Sequence, residues 1–183
     1  MISRPFSAAV AATVLSGLLS AAASAASLQV DVKKVSADGV GESIGTITFR
    51  DTTDIGLVVI PKLQGLEPGA HGFHIHEHAD CGSHSDGGKT VAGGAAGGHY
   101  DPKKTGRHAG PVGNGHLGDL PELLVDPDGN AHMAVVAPRL QVPDLVGRTV
   151  MIHEGGDNYS DQPKPLGGGG ARVACGAINV DQL

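Results

Sequence analysis

LQVDVKKV at residues 28–35 and ESIGTITFR at residues 42–50 decide the fold class. Each alternates in part between apolar and polar side chains, the period of a strand with one buried face, and the turn residues Ala37, Asp38 and Gly39 lie between them. The pair reads as a half-buried hairpin. Working outward, six more short segments carry strand character: 55–60 (IGLVVI), 70–77 (AHGFHIHE), 120–125 (LPELLV), 131–137 (AHMAVVA), 147–153 (GRTVMIH) and 172–180 (RVACGAINV). Turn signals such as Glu67-Pro68-Gly69 and Asp126-Pro127-Asp128-Gly129-Asn130 separate several of them. No stretch sustains a helical period with caps. Eight short strands with turns between them predict an all-β fold, an antiparallel sandwich or barrel. The chain has no Trp, two Tyr and three Phe, so its core must be built from Val, Ile, Leu and Ala, of which the branched residues suit strands.

Two stretches break the pattern of short connections, residues 78–119 and 154–171. Loops of that length within one domain are uncommon unless functional, so both are expected to be held by metal ions or a disulfide rather than by secondary structure. A chain of 183 residues suits one domain with a full core. Residues 1–25 read as an export signal: Arg4 and the amino terminus are positive, residues 8–19 form a short apolar run, and Ala23-Ser24-Ala25 is an A-x-A cleavage site. The run falls short of the roughly 20 residues that span a bilayer, which disfavours an anchor and leaves a mature domain, 26–183, with no membrane segment. That domain carries 12 Lys and Arg against 19 Asp and Glu, a net charge of −7, which argues against nucleic acid as a partner. Its two cysteines, Cys81 and Cys175, are expected to pair in an oxidising compartment.

His74 and His76 lie two apart on a predicted strand, so both rings project from one face. His153 ends another predicted strand. His99, His108, His116 and Asp119 cluster in the first long loop. Any one of these histidines alone is more often an ordinary surface or core residue, but the group together is a metal-binding constellation. Two four-coordinate sites need eight donors and seven residues are present, so one histidine must donate through both ring nitrogens. Imidazole suits copper and zinc alike. A set of three His and one Asp fits zinc, and an all-imidazole set favours copper(II).

Four segments, His71-Gly72-Phe73-His74-Ile75-His76-Glu77, Gly98-His99-Tyr100-Asp101-Pro102, His116-Leu117-Gly118-Asp119 and Gly170-Ala171-Arg172-Val173-Ala174-Cys175-Gly176, resemble the signature segments of copper/zinc superoxide dismutases, in family order. The run from Met151 through His153 and Asp157 to Asp161 resembles the bacterial periplasmic branch, and the likeness covers residues 28–180. The resemblance implies an eight-stranded Greek-key β-barrel or sandwich with two long functional loops. It implies copper held by His74, His76, His99 and His153, and zinc held by His99, His108, His116 and Asp119. Asp157 then links a copper ligand to a zinc ligand, Arg172 stands beside the copper, and Cys81 and Cys175 form the intrasubunit disulfide.

The activity so implied converts superoxide to dioxygen and hydrogen peroxide by copper redox cycling, with zinc structural, His99 delivering a proton, and a monomer or homodimer working in the periplasm. An anionic substrate and a charge of −7 call for a local positive funnel, with Arg172 the main candidate and Lys164 a weaker one. A metal carrier on the same barrel is expected to lack part of this set. A zinc hydrolase would need an open zinc position with a general base, and none emerges. Gly87-Gly88-Lys89-Thr90 ends like a phosphate loop, but Ser83 occupies the place of its first glycine. The sequon at Asn158-Tyr159-Ser160 reads as chance. His78, His84 and His132 are expected at the surface, and His71 as a brace of the copper strand.

Overall fold

A computed structural model describes residues 26–182 of the chain. The export signal expected at 1–25 lies outside the described residues. Eleven strands form among the described residues: β1 (Ser27–Ser36), β2 (Gly39–Asp51), β3 (Leu57–Leu63), β4 (Gly69–His71), β5 (Phe73–His76), β6 (His84–Asp86), β7 (Lys89–Val91), β8 (Leu123–Val125), β9 (Val135–Ala137), β10 (Arg148–His153) and β11 (Arg172–Ile178). Seven make one curled sheet in the order β5-β10-β11-β1-β2-β3-β9, with two-stranded ladders β4-β8 and β6-β7 beside it. Every pairing is antiparallel. The last strand, β11, returns to lie beside β1, and the chain crosses the sheet between β3 and β5 and again between β9 and β10. These are Greek-key connections. The only helical pieces among the described residues are short 3-10 turns, and no helix is long and apolar enough to cross a membrane.

The β1–β2 hairpin behaves as its alternation requires. Leu28, Val30 and Val32 face inward opposite Phe49, Ile47 and Gly45, while Ser27, Gln29 and Asp31 are exposed. Ile47, Phe49, Leu57 and Val59 are fully buried, each contributing about 1.5 to 3 kcal/mol relative to exposure.

All eight predicted strands have counterparts, with three differences. Segment 70–77 splits at Gly72, whose N–H donates to the Gly155 carbonyl at 2.6 Å and whose carbonyl accepts from His153 N at 2.9 Å. The chain thereby changes partner from β8 to β10. Segment 131–137 shortens to β9, because Ala131 makes a single bridge to Leu63 and residues 132–134 are exposed. Inside the first long loop, β6 and β7 form an extra hairpin around Gly87 (φ 57°) and Gly88 (φ 83°), the two positive φ values that a tight primed turn demands.

Candidate metal centre

Both faces of β5 and β10 are buried, and their two faces do different things. Phe73, Ile75, Val150 and Ile152 enter the main core. His74, His76, Met151 and His153 point the other way, beneath the long loops. Pairing sets Met151 opposite His74 and Thr149 opposite His76. On the neighbouring strand the register slips: Ile152 pairs with Ala174, but His153 pairs with Arg172. The extra residue, Val173, is a β-bulge that turns Arg172 from the core face onto the face of His153. The Arg172 guanidinium then donates to the carbonyls of Gly93 and Gly97, both at 2.6 Å. Cys175, on the same face, is bonded to Cys81 and clips the first long loop to β11.

The structure brings two donor sets together. His74, His76, His99 and His153 offer ring nitrogens that all lie within 4.8 Å of one another, as do the donors of His99, His108, His116 and Asp119. All seven side chains are buried. In the first set, His76 Nδ1 donates to the Gly97 carbonyl at 3.0 Å and His153 Nδ1 lies 3.3 Å from the Gly170 carbonyl. Their Nε2 atoms therefore face each other as lone pairs, 3.4 Å apart. Two acceptors so placed cannot bond each other, and a cation between them satisfies both. His74 Nδ1 and His99 Nε2, also buried, have no hydrogen-bond partner.

In the second set, Asp119 Oδ1 lies 3.0 Å from His99 Nδ1, 3.0 Å from His108 Nδ1 and 3.4 Å from His116 Nδ1. A tetrahedron with zinc-to-ligand arms of roughly 2.0 to 2.1 Å has edges of about 3.3 Å, so the cluster fits that ion. The other oxygen, Oδ2, is occupied by the N–H of Ala109 at 3.1 Å. His99 belongs to both sets, Nδ1 turned to Asp119 and Nε2 left unpartnered.

Asp157 stands behind both sets. Its Oδ2 accepts from His74 Nε2 at 2.8 Å and its Oδ1 from His108 Nε2 at 2.7 Å. Only glycine suits position 167, which has φ 71° and a backbone pressed against Asp157 and His108. His71 is buried, its two ring nitrogens each 2.7 Å from a carbonyl, those of His153 and Glu67. Arg139, which no sequence motif marks, donates to the carbonyls of Gly110, Pro111, Gly115 and His116 and so gathers the turn between His108 and His116.

Burial sets the protonation of this cluster. It pushes His74 down to about 3 and His153 to about 4, with His99 nearby adding to the effect in each, and it also lowers His76 and His99. These rings are neutral and ready to bind metal without first losing a proton. At His108 burial opposes the charge, but the carboxylates of Asp119 and Asp157 beside it carry it to about 9. Burial likewise opposes ionisation of Asp119 and Asp157, and the imidazoles packed around them, His108 foremost, hold both below the ordinary carboxylate range. His78, His84 and His132 are exposed and join no donor group among the described residues, and Lys164 is exposed on the second loop.

Residues 43–178 match the family model described as copper/zinc superoxide dismutase (SODC). The chain belongs to the copper/zinc superoxide dismutase family. Within that family it is 56% identical to superoxide dismutase [Cu-Zn] 2 of Salmonella typhimurium over 162 residues, 88% of this chain and 93% of that one. Among solved structures, the Cu/Zn superoxide dismutase from Brucella abortus aligns with a TM-score of 0.81 at 46% identity, covering 84% of this chain and 99% of that one. The monomeric copper, zinc superoxide dismutase from Salmonella enterica aligns with a TM-score of 0.74 at 56% identity, over 84% of this chain and 99% of that one.

Proposed function

We propose that the protein dismutes superoxide, with copper held by His74, His76, His99 and His153 and zinc held by His99, His108, His116 and Asp119. The observation that carries the reading is His99, whose two ring nitrogens face opposite donor sets. When bound, copper would supply the one-electron couple that both halves of the reaction need, while zinc, which has no redox chemistry, would support the residues that hold it. Two superoxide ions and two protons yield dioxygen and hydrogen peroxide. His99 Nε2 is the atom at which a proton for the peroxide is held and passed on, while Nδ1 stays anchored beside Asp119. Asp157 orients His74 and His108 together, as partners behind metal ligands do.

Arg172 supplies positive charge beside the first set, held still by the Gly93 and Gly97 carbonyls, and draws the anion against the net charge of the domain. The Cys81–Cys175 bond and the bacterial relatives support an exported protein. Residues 1–25 are its export signal, residues 26–183 its working domain, and the periplasm its place of action, as a monomer or homodimer.

The test is metal content measured with superoxide-dependent activity on disulfide-intact protein, repeated after selective copper removal and restoration. About one copper and one zinc per chain, the stoichiometry of two four-coordinate sites, with activity that follows copper is the expected result. Both metals bound without activity would mean a metal carrier.

A further inference from the structure

Asp157 can serve both donor sets only while its backbone and both oxygens stay in place, because a turn of the carboxylate would keep one imidazole and release the other. We infer that Glu122 and Tyr159 form a clamp that positions Asp157. The inference rests on the reading of Asp157 as the link between the two sets.

Three hydrogen bonds close a ring. Glu122 Oε1 accepts the N–H of Asp157 at 2.7 Å, Tyr159 Oη accepts the N–H of Glu122 at 3.0 Å, and the N–H of Tyr159 donates to Asp157 Oδ1 at 2.7 Å. Each link joins a different pair, so the backbone of Asp157 and the oxygen that receives His108 are both held. Tyr159 sits at φ 57°, a left-handed conformation that a side chain so bulky keeps only where its surroundings over-determine it.

Two glycines make room for the clamp. At Gly156 a Cβ would lie 2.9 Å from Glu122 Oε1, and at Gly110 one would lie 2.8 Å from Tyr159 Cγ. Gly110 lies two residues beyond His108, and its carbonyl is one of those held by Arg139. The clamp therefore ties the segment before β8, the second long loop and the loop of the second donor set at one point. Glu122 and Tyr159 reach the metals only through Asp157 and are positioning residues.

The test compares Glu122→Ala, Glu122→Gln, Tyr159→Phe and Asp157→Ala in two readouts: the rate of zinc release from the holoenzyme into chelator, and the visible spectrum of cobalt(II) placed in the second set. Glu122→Ala should speed zinc release about tenfold, at the lower end of what partners behind metal ligands give, and shift the cobalt bands. Glu122→Gln keeps the accepting oxygen without the charge and should restore both readouts. Tyr159→Phe, at a residue 38% exposed, should move both in the direction of Glu122→Ala even where that variant fails to fold. Effects of Asp157→Ala without any from Glu122→Ala and Tyr159→Phe would overturn the clamp, and so would Glu122→Gln matching Glu122→Ala, since charge would then be the cause. No effect from Asp157→Ala would instead remove the reading of Asp157 on which the clamp depends.

Discussion

His74, His76 and His153 stand on the adjacent strands β5 and β10, whereas His99, His108, His116 and Asp119 all come from the connection between β7 and β8. The strand-borne donors are placed by ladder hydrogen bonds and a packed core, both of which exist whether or not a ligand is bound. Of the loop-borne donors, His99 and Asp119 borrow single backbone bridges to His76 and His74 on β5, while His108 and His116 have no ladder at all. Their places come from side chains arriving from elsewhere: Arg139 on four carbonyls, Asp157 on His108, and Asp161, whose Oδ2 accepts the N–H of His108 at 2.9 Å. A redox site is served by rigid geometry, and a long loop becomes rigid only when its backbone groups are satisfied from outside.

The substitution expected to do most is His99→Ala, because it removes a donor from both halves at once. Affinity for both metals should fall by more than about 100-fold, beyond the range seen for partners behind ligands, and activity should be lost. Metal content by mass spectrometry checks it, and loss of a single metal would separate the two halves that His99 is held to join. Next, Arg172→Glu acts on the strand-borne half alone. Both metals should stay, activity should fall by roughly 10- to 1,000-fold, the span of electrostatic steering, and rising salt should help the variant where it slows the parent. Turnover equal to the parent at low ionic strength would sink the steering role.

The smallest effect sharpens the contrast on the loop side. Arg139→Gln removes charge-assisted bonds from a half-buried guanidinium, for an expected loss of about 1 to 3 kcal/mol in urea unfolding. Zinc should leave faster while the strand-borne set keeps its copper. Equal loss of both metals would mean that the two halves are not held independently.

Much of this was legible in the chain. The hairpin at residues 28–50 and the buried strands show themselves through a period of two, which is a local property of neighbouring side chains. The residues of the two donor sets are also the ones the sequence singles out, since clustered histidines in strand and loop positions are rare and their donor count demands a shared ring. The β6-β7 hairpin had a local signal too, two glycines between short polar runs, obscured because those runs lack an apolar face. Arg139, Glu122 and Tyr159 carried none. Each acts through a backbone group far along the chain, as Glu122 does on Asp157 across 35 positions, and a residue that binds a distant carbonyl or N–H leaves no mark in its own neighbourhood.

The sequence by itself determined the strand alternation, the shortage of donors that calls for one histidine in both sets, and the pair of cysteines, because each follows from residue type and spacing alone. Tertiary structure decided which nitrogen of each ring is free, the turning of Arg172 onto the face of His153 by the Val173 bulge, and the partners that hold the loops. Those depend on register and on hydrogen bonds between distant segments, and neither exists until the sheet has closed around its core.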